Sequence, residues 1–282
     1  MAARDFVQRY GSTGPPMVLV HGVGSSHVHW LAVAPKLAVR HRVYVPDLPG
    51  FGRTPVAGRR ADLQGYRQFL ARFLAGLDQP AVVVGNSMGA LLGILAAVDH
   101  PKRVRALVLV SSPAPRHPLT PLEPKLAVLL SAYSWPGLGE LTRGLWVKVQ
   151  GPEGLVRSVL DSCLAAPERT PPEVLRAALE VETERTAHDD EVHVFLSAYR
   201  STWRYLLNGR RFDRLVREVR APALILHGTR DKLVPTSVVN RFRRLRPEWP
   251  LVELPGLGHM PQVEDARGFV TTVRRWLASQ SA

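Results

Sequence analysis

Apolar and polar positions follow two different rhythms along this chain. Near-continuous apolar runs at Met17–Val20, Val43–Pro46, Ala81–Val84 and Val104–Val110 predict β-strands covered on both faces. Parallel strands under helices lose the polar alternation of half-exposed ones. Between the second and third runs, Leu63, Tyr66, Phe69, Leu70, Phe73, Leu74 and Leu77 recur at helical spacing and predict one buried helix face. Ala90 to Val98 is apolar all round and reads as a buried helix. A second block, from about Arg220 to Ala282, repeats the scheme with strands at Ala223–Leu226 and Leu251–Leu254 and a closing helix near Val263–Leu277. Strands alternating with helices imply a mostly parallel, doubly wound α/β sheet with right-handed crossovers.

The stretch from Pro113 to Val219 breaks this pattern. It has helix-like runs, no convincing strand, and punctuation by Pro113, Pro115, Pro118, Pro121, Pro124, Gly137, Gly139, Gly151, Pro152, Pro167, Pro171 and Pro172. It reads as a helical insertion (113–219) between two halves of one sheet domain (1–112 and 220–282). Leu126, Leu129, Leu130, Tyr133, Trp135, Leu145 and Trp146 are its apolar anchors, expected mainly to pack it onto the sheet. An insertion at the strands' C-terminal edge also roofs the place where open α/β sheets bind ligands. Leu130, Tyr133 and Trp146 are therefore expected to line a substrate pocket.

Composition narrows the class. The chain has 282 residues, 45% hydrophobic and 22% charged, as in an ordinary globular enzyme. No apolar run reaches the roughly 18–20 residues that span a bilayer, and the N-terminus lacks the apolar core of a signal peptide. The expectation is a cytoplasmic protein without stable membrane insertion. The single cysteine, Cys163, agrees with a reducing compartment. No signal of oligomeric state is present.

A net charge of +13 raises the question of nucleic acid. Only five of the 37 basic residues are lysine, and the arginines are spread along the chain, with local clusters at 210–220 and 241–246. Zinc-ligand spacing and aromatic ribonucleoprotein motifs are absent from the sequence. The arginines read as solvated helix faces, and no nucleic-acid partner is expected.

The chemistry concentrates in short motifs. Gly85-Asn86-Ser87-Met88-Gly89 is a G-x-S-x-G placed between an apolar strand and an apolar helix. A serine on such a sharp strand-to-helix turn is exposed as a nucleophile. Its hydroxyl needs a base, and the base needs an orienting carboxylate. Both should follow in the order Ser, Asp/Glu, His. Asp231, in His227-Gly228-Thr229-Arg230-Asp231, follows the strand Ala223–Leu226. His259, in Gly256-Leu257-Gly258-His259-Met260, follows Leu251–Leu254. His41, His100, His117, His188 and His193 read as surface residues, and His227 as structural. An oxyanion hole is expected from the backbone N–H groups of Val23, in His21-Gly22-Val23-Gly24, and of Met88. Trp30, beside His27 and His29, is a further candidate pocket wall.

These motifs resemble the α/β-hydrolase superfamily, in the form with a helical cap inserted after the sixth strand. The resemblance rests on HGVG at 21–24, DLPGFG at 47–52, GNSMG at 85–89, HGTRDKLVP at 227–235 and GLGHMPQVED at 256–265. It implies that Asp47 and the Pro49–Gly52 turn shape a loop, and that Glu264 supports the histidine loop. Only about 16 residues precede Met17, where the family often has an antiparallel strand pair, so the first strand is expected to be absent or very short. Serine at position 87 disfavours the dehalogenase and epoxide-opening relatives, which use aspartate there. Carbon–carbon bond hydrolases of ring-cleavage pathways share the GNSMG elbow. They usually carry Gly-Pro-Gly and a Trp after the histidine, where this chain has Gly24-Ser25-Ser26 and Met260.

The reading is a serine hydrolase that cleaves a carboxylic ester, thioester or lactone of a fairly apolar small molecule, without metal or organic cofactor. The alternatives are a carbon–carbon hydrolase of a vinylogous diketone, a cofactor-free perhydrolase or haloperoxidase, and a non-catalytic small-molecule receptor of the same fold.

Overall fold

The computed structural model describes residues 5–115, 124–186 and 190–280. The chain runs β1 (Val7–Tyr10), β2 (Pro16–Val20), a 3-10 turn at His27–Trp30, α1 (Ala34–Leu37), β3 (Arg42–Pro46), α2 (Leu63–Ala75), β4 (Ala81–Asn86), α3 (Met88–Asp99) and β5 (Val104–Val110). Helices α4 (Pro124–Ser134), α5 (Leu138–Cys163), α6 (Pro172–Thr186), α7 (Glu191–Leu206) and α8 (Gly209–Glu218) follow. The sheet then resumes with β6 (Ala223–Gly228), α9 (Thr236–Leu245), β7 (Leu251–Leu254), α10 (Pro261–Glu264) and α11 (Ala266–Ser279).

The seven strands lie in the order β1-β3-β2-β4-β5-β6-β7. Only β1 runs antiparallel, with Val7 opposite Pro46 on β3. Among the described residues this edge is a single four-residue strand. The helical segment leaves after β5.

Period-two geometry explains why the strands read as unbroken apolar runs. Val18 and Val20 of β2, Val83 of β4, Leu107 of β5 and Ile225 of β6 point into one core, beneath α2, α3, α8 and α9. Met17, Leu19, Val82, Val84, Val108 and Leu226 point into the other, beneath α1 and α11. Both faces are covered, so the central positions of these strands are apolar on both sides, with Arg105 exposed near the start of β5. Helix α8 belongs to the first of these layers: Phe212 is fully buried, 5.6 Å from the ring of Phe242 on α9. Helix α5 is kinked where Gly151 adopts φ 59° before Pro152.

Several apolar anchors differ from expectation. Trp135 and Leu145 are more than half exposed and do not pack onto the sheet. The side chain of Leu126, like Pro118, Pro121, His117 and His188, lies outside the described residues. Among the described residues no helix is long and apolar enough to cross a membrane.

Candidate active site

The strand order reverses between β2 and β4, whose neighbours diverge to opposite sides, so their C-terminal ends flank a crevice. Ser87 follows β4 in a strained conformation (φ 56°, ψ −120°) and caps α3. Its backbone N–H donates to Val110 O on β5 at 2.9 Å, which anchors the turn. Side chains cannot replace the flanking glycines. A Cβ at Gly85 would collide with the Gly89 backbone, and one at Gly89 with the end of β2.

Asp231 and His259 come together from the loops after β6 and β7. His259 Nδ1 lies 2.8 Å from Asp231 Oδ2. Asp231 Oδ1 accepts from the N–H groups of Leu233 and Val234, both at 2.9 Å. Burial alone would raise the Asp231 pKa. The facing His259, the backbone donor at Val234 and nearby His227 outweigh it, and the carboxyl sits below its ordinary value. Asp231 is therefore an anion at neutral pH, suited to hold an imidazolium. His227 is fully buried, with Nδ1 3.9 Å from Asp231 Oδ2. Burial lowers its pKa, so it stands behind the carboxylate as a neutral ring.

Ser87, His259, Val23 and Met88 all line one cavity of about 270 Å³. With Nδ1 engaged by Asp231, the other nitrogen of His259 is the one left to meet a serine hydroxyl. Met88 is the first residue of α3, where the helix leaves its N–H groups without intrahelical partners. The Val23 turn is fixed from behind by His21. Leu48 N–H donates to His21 Nε2 at 3.0 Å, so the ring proton sits on Nδ1 and reaches Gly22 O at 2.8 Å. Asp47, fully buried, ties the adjoining loops by accepting from His27 N–H, His27 Nδ1 and Arg53 N–H. That is the shaping role expected of it.

Leu130, Tyr133 and Trp146 line the cavity with Leu129, Phe195 and Trp203. Trp30 does not. It is fully buried on the opposite face of the sheet, in the α1–α11 core, with its ring 6.3 Å from Phe269. The 3-10 turn carries it away from the crevice, so the expectation that it walls the pocket is corrected.

Two braces, from Asn86 and Lys232, escaped the sequence, while a third, from Glu264, is the support expected of it. Asn86 Nδ2, beside the nucleophile candidate, donates to His259 O at 3.0 Å. Lys232 Nζ donates to Asp161 O at 2.8 Å, next to Asp231. Glu264 accepts from Gly258 N–H (2.6 Å), Ala165 N–H (2.8 Å) and Ala166 N–H (3.1 Å). His259 N–H also donates to Cys163 O at 2.6 Å. The end of α5 is thereby locked to both the Asp231 and His259 loops. The Cys163 thiol lines the cavity, but burial pushes its pKa up to about 12, so it stays protonated and inert.

The family model "Alpha/beta hydrolase family" matches residues 17–272. The chain belongs to the alpha/beta hydrolase family. Among relatives in the family, a 2-hydroxy-6-oxo-2,4-heptadienoate hydrolase of Pseudomonas putida is 31% identical over 275 residues, covering 95% of this chain and 90% of that one. A pimeloyl-[acyl-carrier protein] methyl ester esterase of Chromobacterium violaceum is 27% identical, covering 98% and 99%. Cfl2 of Burkholderia cenocepacia superposes with a TM-score of 0.80 at 21% identity, over 97% of this chain and 92% of that one, a likeness of fold. Of the relatives named by function here, one is a dienoate hydrolase and the other a methyl ester esterase.

Proposed function

We propose that this protein is a serine hydrolase acting on a carboxylic ester, thioester or lactone of a small, largely apolar molecule. The observation that carries the reading is the 2.8 Å pair of His259 and the buried Asp231 side chain, with His259 lining the cavity that also holds the strained Ser87. Ser87 Oγ attacks the carbonyl carbon while His259 takes its proton. Asp231 holds the imidazolium that forms. The N–H groups of Val23 and Met88 receive the developing oxyanion, each worth about 3–4 kcal/mol in the transition state. His259 returns the proton to the leaving group as the tetrahedral intermediate collapses to an acyl-enzyme. It then activates water to hydrolyse that ester and free Ser87.

Helices α4–α7 act as a cap that supplies the apolar wall. Leu129, Leu130, Tyr133, Trp146 and Trp203 favour an apolar acyl or alkyl group there. A vinylogous diketone is the second reading, favoured by the 31% identical dienoate hydrolase. The ester reading is preferred because Ser25, Ser26 and Met260 stand where ring-cleavage hydrolases carry Gly-Pro-Gly and Trp. Many surface arginines, among them Arg53, Arg67, Arg200 and Arg241, face carboxylates of this chain, which supports a solvated surface rather than a nucleic-acid site.

The test is a screen of p-nitrophenyl esters of rising acyl length beside a vinylogous diketone, each with Ser87→Ala as control. Ester turnover that vanishes in Ser87→Ala supports the reading. Turnover of the diketone alone replaces it with the second.

A further inference from the structure

One corner of the apolar cavity is polar, and the mechanism above does not use it. Arg143 on α5 and Arg185 on α6 both line the cavity, with side chains only 9% and 8% exposed. Glu191 on α7 joins them from behind: its Oε1 lies 2.5 Å from Arg143 Nη2 and 2.9 Å from Arg185 Nη1. Glu182, also lining the cavity, accepts from Arg185 Nη2 at 2.6 Å. Arg143 stacks over the Phe195 ring at 4.2 Å, which fixes the guanidinium plane. Even so, Arg143 Nε and Arg185 Nη1 are buried without an aligned hydrogen-bond acceptor, and Glu191 Oε2 is buried without a donor, a set that a hydroxyl, which both accepts and donates, suits. From the sheet side, Ser25 reaches the same corner. It borders the main cavity and a side chamber of about 30 Å³ that it shares with Arg185, Glu182 and His29. Ser25 Oγ is hydrogen-bonded to His29 Nδ1. Burial holds His29 down to about 4, so its ring adds no charge at neutral pH.

Two features decide what fits. Arginine N–H groups only donate, so the ligand must present an acceptor. The two guanidinium charges are already matched by the two carboxylates, so a further buried anion would carry an uncompensated charge. We propose that this corner is a subsite for an uncharged oxygen, a hydroxyl or carbonyl, borne by the substrate away from the bond that Ser87 cleaves. The subsite deepens the proposed hydrolase reading and rests on it. It makes the preferred substrate an apolar ester with a second, neutral oxygen function, and it selects against free carboxylates.

The experiment measures binding to the full-length Ser87→Ala protein by calorimetry, so that turnover and recognition are read separately. The probes are methyl esters of straight-chain acids of four to ten carbons, ending in methyl, hydroxyl or carboxylate. The hydroxyl-ended ester is expected to bind about tenfold tighter than its methyl-ended partner at one chain length, as for a bond to a charged donor. The carboxylate-ended ester should gain nothing over the methyl-ended one. Adding Ser25→Ala should shrink the hydroxyl preference. Adding Glu191→Gln, which removes one negative charge but keeps an acceptor, should shift preference towards the carboxylate by about tenfold. Equal binding of all three probes at every length, no binding of any, or a carboxylate preference before Glu191→Gln would overturn the subsite. Wild-type turnover of the methyl-ended esters, measured alongside, judges the hydrolase reading independently.

Discussion

Glu264 offers the sharpest structural prediction, because one carboxylate holds the His259 loop and the end of α5 together. Replacing it with alanine removes three charge-assisted hydrogen bonds, to Gly258, Ala165 and Ala166. Bonds to charged groups contribute about 1.5–3 kcal/mol each. The carboxylate is only partly buried, so water replaces part of the loss. A net cost of about 3 kcal/mol follows, or a Tm lower by roughly 5 °C for a chain of 282 residues. The same change frees the backbone that places His259, and misplacement by about 1 Å costs on the order of 10²-fold in rate. Scanning calorimetry and kcat/KM on a p-nitrophenyl ester should therefore fall together. Glu264→Gln, which keeps acceptor oxygen but not charge, should recover part of both. A Glu264→Ala protein with unchanged Tm and unchanged kcat/KM would refute the brace.

Other consequences are equally concrete. Asp231→Asn should lower kcat by about three to four orders of magnitude with little change in KM, since the carboxylate acts on the imidazolium that forms only during reaction; steady-state kinetics read this directly. The Asp231 pKa is depressed in the fold, so its stabilising share is present above the ordinary carboxylate range and lost as pH falls through the folded value. The Tm gap between wild type and Asp231→Asn should narrow accordingly in acid. His29 titrates near 4 in the fold against about 6.5 when unfolded, so the unfolded state takes the proton first and stability falls from pH 6.5 to pH 4 by about 3 kcal/mol. His29→Gln should flatten that part of a urea-denaturation series across pH. Trp30→Ala should cost about 3–5 kcal/mol of stability while leaving the order of preference among p-nitrophenyl esters unchanged, because Trp30 lies in the far core.

Much of this was legible because the determinants are local. Strands covered on both faces are apolar on both sides, and Ala81 to Val84 and Ala106 to Val110 display that directly. The order of Ser87, Asp231 and His259 follows from the loops after β4, β6 and β7. What escaped depends on partners distant in sequence. Arg143 and Arg185 read as solvated helix charges, yet Glu191, 48 residues beyond Arg143, lets both be buried in the cavity wall. Trp30 follows the His21–Gly24 turn in sequence, but the 3-10 geometry of His27–Trp30 sends its ring through to the other core. Trp135 and Leu145 had the composition of anchors, and only the path of α4 and α5 leaves them exposed. Asn86 was visible as part of the elbow, whereas its bond to His259 O spans 173 residues.

The central claim is that Ser87 is an activated nucleophile. A fluorophosphonate probe followed by peptide mass mapping tests it most directly, because the phosphorus reacts only with a serine whose proton has a base to receive it. One label is expected, on Ser87, reduced by orders of magnitude in the His259→Ala protein. An unlabelled Ser87 in the folded wild-type protein, or labelling indifferent to His259, would contradict it.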